Sequence, residues 1–134
     1  MYVGKAIPSG ARNGKRTAAE GTALYTRLVQ HANSLESAEN LRLCDFACRY
    51  LVVQPVWISL AERFLIAHYQ PLWNVVVDGF GNHDPGRGRR AGMRPRWDIL
   101  HPGRPWAVEL SADRTSDKIL ASIEAHLRGT QERT

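Results

Sequence analysis

Glu62 stands in the middle of the most apolar helical stretch of the chain, with Ile58, Leu65, Ile66 and Tyr69 as its neighbours on the same face. A carboxylate in such company is costly unless it is paired, protonated or bound to a metal. Two chemistries fit. One is a buried ion pair with an arginine, the commoner arrangement. The other is a ligand for Mg2+, an ion that takes few protein carboxylates and fills its shell with water and phosphate oxygens. Arg27 and His31 are four residues apart and project from one helix face. Arginine offers a planar positive fork suited to phosphate, and histidine gives or takes a proton near neutral pH. On spacing alone, two solvated polar side chains are the commoner outcome. Asn74, directly after Pro71-Leu72-Trp73, has turn chemistry as its ordinary role, and Tyr2 in an opening strand ordinarily packs.

From Pro85 to Arg104 the chain holds six arginines, Arg87, Arg89, Arg90, Arg94, Arg96 and Arg104, against one acid, Asp98. Glycines are interleaved with them. Such a stretch can track a phosphate backbone and set guanidinium groups against guanine edges; the alternative is a solvated basic loop. Trp97 and Trp106 argue that it is docked on a core. His83-Asp84 and His101 have no partners at a metal-ligand spacing, and no glycine-rich nucleotide loop is present.

The elements that must position these residues follow from periodicity. Met1 to Ile7 reads as a strand, and Pro8 to Arg16 as a loop. A helix from Thr22 to about Ser34 carries Leu24, Leu28 and Ala32 on one stripe, with Thr22 as its cap. Ser34 to Asn40 is polar and reads as a loop. Asp45 to Val53 alternates, with apolar groups on both faces, and is expected to be a central strand. Pro55 opens a helix from Val56 to Tyr69, apolar nearly all round and so expected in the core, and Pro71 stops it. Val75 to Val77 and Trp106 to Leu110 read as short strands, 78–104 as a long irregular stretch, and Ser116 to Leu127 as an amphipathic helix.

The length, 134 residues, suits one domain spanning 1–134, with 78–104 as an inserted basic DNA-contact loop. The apolar fraction of 43% excludes wholesale disorder, and the net charge of +5 is compatible with a polyanionic partner. No apolar run reaches the ~18–20 residues of a membrane span. The N-terminus carries no signal pattern. Cys44 and Cys48 are not at metal-knuckle or redox spacing. In a strand they lie ~13 Å apart, too far for a disulfide, so they read as reduced core thiols of a cytoplasmic protein.

Taken in order, these residues resemble the GIY-YIG nuclease superfamily. Tyr2-Val3-Gly4 is similar to the second half-motif of that name, and Arg27, His31, Glu62 and Asn74 fall in the order of the remaining catalytic positions. Longer runs are more specific: Cys48 to Val53, Pro71 to Asn74, Asp78 to Gly86, and His101 to Trp106 resemble the Eco29kI-like type II restriction endonucleases. The resemblance spans residues 2 to about 110. It implies an α/β (α+β) fold, a small antiparallel three-stranded sheet flanked by helices. It implies homodimers that hydrolyse double-stranded DNA at a palindromic GC-rich site with Mg2+. Catalytic roles then fall to Tyr2 (beside the attacking water), Arg27 (phosphate charge), His31 (proton transfer or a bond to a tyrosine), Glu62 (metal) and Asn74 (site integrity). DNA contacts fall to Lys5, Asn82, His83, Arg87, Arg89, Arg90, Arg94, Arg96 and Arg104.

The family's first half-motif, Gly-Ile-Tyr on the first strand, belongs upstream of Tyr2, where only Met1 stands. The expectation is therefore an N-terminally truncated sheet with its first strand missing and an unpaired edge. Two other readings stay open: a truncated or degenerate domain that binds DNA without cutting it, and a basic scaffold that binds protein.

Overall fold

The computed structural model describes residues 1–8, 22–86, 88 and 91–131. Among these, the helices are α1 (Ala23–Ser37), α2 (Ile58–Tyr69), α3 (Leu72–Val75), α4 (Arg96–Leu100), α5 (Pro105–Val108) and α6 (Ser116–Gln131). Single 3-10 turns occupy Leu43–Asp45 and Pro55–Trp57. Proline sits at the start of the second turn and of α5, where its fixed φ costs nothing. Gln70 ends α2 in the left-handed region, with its amide donating to the Ile66 carbonyl.

The core gathers where the end of α1, the α3 turn, α4 and α6 meet. Trp97 and Val77 are fully buried, and Leu35, Ala38, Val76, Phe80 and Ile119 surround them. Aromatic rings connect this centre to the N-terminal segment: Tyr2, Phe80, Trp73 and Trp97 follow one another at centroid spacings of 5.0, 4.8 and 5.8 Å. Two glycines permit the tight crossings. A Cβ on Gly103, at φ +136°, would strike the Ser37 carbonyl at the end of α1. One on Gly79, at φ +111°, would strike Pro95.

The expected three-stranded antiparallel sheet is not present among the described residues; the protein is helical, with one isolated parallel bridge between Met93 and Ser111. Alternation makes a segment able to be a strand, but a strand exists only with a partner edge. The main chain of Val3 is instead satisfied by the Asn74 side chain, whose Oδ1 accepts from the amide at 2.8 Å and whose Nδ2 donates to the carbonyl at 2.7 Å. Residues 47–53 make none of the described main-chain hydrogen bonds, and Tyr50, Leu51 and Val52 are exposed. The two short strands are not formed either, and part of each is helical. Val75 closes α3, and 106–108 lie in α5, because apolar runs this short carry no decisive period.

Three smaller expectations are also corrected. The α2 helix buries none of its residues, and Trp57, Leu60 and Phe64 are more than half exposed. Both cysteines are exposed rather than in the core. Thr22 precedes α1 as its cap, but its side chain makes no capping bond, and its carbonyl accepts from Thr26.

The basic stretch is organised by one buried ion pair. Arg104, 4% exposed, sets Nε and Nη2 against the two oxygens of Asp98 at 2.6 and 2.5 Å. Its Nη1 also donates to the Phe80 and Asn82 carbonyls, and Nη2 to that of Gly79. Trp97 and Trp106 cover its guanidinium at 4.5 and 4.7 Å. Burial pushes the Asp98 carboxyl above its ordinary pKa, while the bonds from Arg104 pull it down. Asp98→Asn leaves this guanidinium buried without its counter-charge, so we expect ~3–5 kcal/mol of lost stability. Urea denaturation reads it; a loss under about 1 kcal/mol would show that the pair is not what anchors 79–82.

Candidate active site

Helix α1 supplies two of the expected catalytic residues. The i, i+4 spacing puts Arg27 and His31 on one face, turned toward Tyr2 and the 79–83 segment. Arg27 Nη2 donates to the Gly81 carbonyl at 3.1 Å; Nη1 meets Gln30 Oε1 at 3.3 Å and His83 Nε2 at 3.0 Å. Its Nε is buried and has no partner. His31 stacks on Phe80 at 4.7 Å and meets Tyr2 edge-on at 5.1 Å. Gly81 closes the cluster: a Cβ there would lie 2.5 Å from the Tyr2 hydroxyl and 2.8 Å from Arg27 Nη2. Tyr2, Arg27, His31 and His83 are thus brought together by helix periodicity and by an uncrowded glycine.

The electrostatics of the cluster are set by burial and positive charge. His31 is held down to a pKa of about 4, first by burial, then by the positive charge of Arg27. Its imidazole is therefore neutral at physiological pH.

Glu62 and Lys5 form a second group. Lys5 Nζ lies 2.7 Å from Glu62 Oε2, with the carboxylate side chain 18% exposed, and it donates to Ser59 Oγ at 3.4 Å. The carboxylate is ion-paired as one of the two sequence readings required, but with lysine in place of arginine. Val3, clamped by Asn74, lies between Tyr2 and Lys5 along the chain, so Asn74 ties the two groups together. Among the described residues no three His, Cys, Asp or Glu side chains converge. A protein-only cage of the zinc kind is not built here. A single partly exposed carboxylate does fit Mg2+, whose other ligands are water and phosphate.

The remaining expected contact residues divide. Arg94 is spent on the carbonyls of Ala107, Val108 and Leu110, and Arg96 on that of Val76 with Asp78 nearby. Arg104 is buried as described. Asn82 and His83 are exposed, and Lys5 is about one-third exposed. Arg87, Arg89 and Arg90 lie outside the described residues. Sequence reasoning missed Gln30, Phe80 and Gly81. Gln30 stands at i+3 from Arg27, a signal that was available; the other two depend on a non-local contact that spacing does not reveal.

The sequence model of the Eco29kI GIY-YIG domain matches residues 1–127. No curated protein matches the chain. With a match over nearly all its length, the chain belongs to the Eco29kI GIY-YIG domain family of nucleases.

Proposed function

We propose that this nuclease is a type II restriction endonuclease: it hydrolyses phosphodiester bonds of double-stranded DNA at a palindromic GC-rich site, as a homodimer, with one Mg2+ per site. The family match supports the nuclease. The observation that carries the mechanism is Arg27. Its Nε is buried with no partner, and its Nη2 and the Tyr2 hydroxyl both crowd the Cβ position of Gly81, at 2.8 and 2.5 Å. A buried unsatisfied guanidinium nitrogen is expensive, and a phosphate oxygen would satisfy it.

In this reading Arg27 neutralises charge growing on the scissile phosphate. The Tyr2 hydroxyl orients the attacking water. Neutral His31 hydrogen-bonds the catalytic tyrosine or passes a proton. Asn74 holds Val3 and hence the Tyr2 and Lys5 backbone in place. Glu62 would hold the Mg2+, which supplies Lewis-acid charge to the phosphoryl group. Lys5, released from Glu62, is then available to a phosphate. Lys5, Asn82 and the basic segment with Arg87, Arg89 and Arg90 supply DNA contacts. Arg94, Arg96 and Arg104 contribute by holding that segment's frame. The second reading, a domain that binds DNA without cutting it, draws on the Lys5–Glu62 pair, which already satisfies the carboxylate.

Replacing Glu62 with alanine separates the two. On the endonuclease reading, plasmid cleavage in Mg2+ falls by at least ~10²-fold while DNA affinity holds. Unchanged cleavage by E62A would sink the metal assignment. No cleavage by either protein, with intact DNA binding, would favour the non-cutting reading.

DNA binding should weaken steeply with salt, since arginine and lysine contacts to phosphate release counterions. A fluorescence-anisotropy series in NaCl reads this. A flat log–log plot would rule out phosphate contact as the main source of affinity.

His31 should titrate by NMR near pH 4, well under the ordinary 6.5. Because the folded value is the lower one, the unfolded chain binds the proton more readily between those limits. The stability contribution is therefore full above pH 6.5 and is lost as pH falls toward 4. Thermal unfolding of H31Q should show a flatter pH dependence across that window. An equal slope in both proteins would place the titration elsewhere.

A further inference from the structure

A guanidinium carries five N–H donors, and three of those on Arg27 are committed. Nη1 gives its two to Gln30 Oε1 and His83 Nε2; Nη2 gives one to the Gly81 carbonyl. The two that remain are on Nε and Nη2. Those nitrogens share one edge of the group, the edge that Arg104 sets against both oxygens of Asp98. What makes Arg27 present that edge is the set of acceptors behind it. Gln30 is on the same helix, at a longer 3.3 Å. Gly81 binds the other terminal nitrogen. His83 is the closest of the three, at 3.0 Å, and it comes from a segment 56 residues away in sequence.

We infer that His83 is a positioning residue for Arg27. Its unprotonated Nε2 accepts from Nη1, fixes the rotation of the guanidinium about its long axis, and so leaves the Nε–Nη2 edge as the one without a full set of acceptors. This rests on the reading of Arg27 as the phosphate-binding group. It differs from a direct DNA contact by His83, in which the ring would donate to a phosphate or base and its loss would weaken binding. In the positioning role an acceptor is required at this place, and any side chain that presents one serves. The 79–82 carbonyls bonded by Arg104 and Arg27 fix where the His83 backbone leaves the turn. The imidazole is thereby presented to Arg27 from a held position.

The test compares wild type with H83A, which has no acceptor, and H83Q, which has one. Side-chain 1H–15N NMR of Arg27 reports rotation about its terminal bonds, independently of any cleavage. Wild type and H83Q should give resolved Nη1 hydrogens, and H83A a single averaged signal. In single-turnover cleavage H83A should fall by about ten- to a hundredfold, the scale of a misplaced reacting group, with H83Q restored and DNA affinity within about twofold throughout. Equal Arg27 spectra in wild type and H83A would overturn the inference. So would a loss of DNA affinity in both variants, which marks a direct contact. R27A is the control on the underlying reading. If it cleaves as wild type does, the phosphate role of Arg27 fails; if it is inactive and H83A is not, only the role of His83 fails.

Discussion

The pair between Asp98 and Arg104 is the constraint from which the reactive cluster is suspended. Asp98 is on α4, whose Trp97 is fully buried, so the carboxylate is fixed by the core itself. It holds Arg104 in a slot between two indoles, and Arg104 reaches out to three carbonyls within 79–82. That turn has no ladder to shape it. A planar cation with donors in a fixed fork shapes it instead. The Gly81 carbonyl then holds Arg27, and Phe80 supports His31. The site is therefore positioned by a polar clamp on a loop, where the sequence reading expected a sheet.

A second line of support is aromatic. Trp97, Phe80 and Tyr2 run from the centre of the core to the candidate site, and His31 stacks on the middle member. Rings in offset or edge contact resist rotation, so the orientation of Tyr2 is inherited from a buried tryptophan. The same packing removes water from His31, which keeps its imidazole neutral. One arrangement thus fixes geometry and protonation together.

The three long helices, α1, α2 and α6, were legible because their signals are local. The Leu24, Leu28 and Ala32 stripe lies within α1, Pro55 and Pro71 flank α2, and the amphipathic stretch from Ser116 lies in α6. The Arg27–His31 face was legible for the same reason. The sheet was not, because period-2 alternation at 45–53 specifies a surface but not a partner, and Asn74 takes up the Val3 main chain that pairing would have used. Glu62 was recognised as a carboxylate needing a partner, yet no rule of spacing joins position 62 to Lys5. The arginine stretch was read as one basic surface. In the structure Arg94, Arg96 and Arg104 hold main-chain carbonyls, because a loop without ladder bonds has carbonyls to satisfy and arginine is the side chain with donors to spare.

Arg27 and Arg104 are chemically identical, and the contrast between them shows how the fold separates structure from function. Both are tied to carbonyls of the 79–82 turn. In Arg104 the Nε–Nη2 edge is filled by a carboxylate from within the chain, so the residue is complete and buried. In Arg27 the terminal nitrogens are held by Gln30, Gly81 and His83, while Nε is enclosed without a partner. A folded chain tolerates such an orphan donor only where neighbouring contacts compensate for it, and the Asp98–Arg104 clamp together with the indole packing is that compensation. On the proposed reading, the cost of the unsatisfied nitrogen is recovered when phosphate oxygens reach the Nε–Nη2 edge, as the Asp98 oxygens fill that of Arg104.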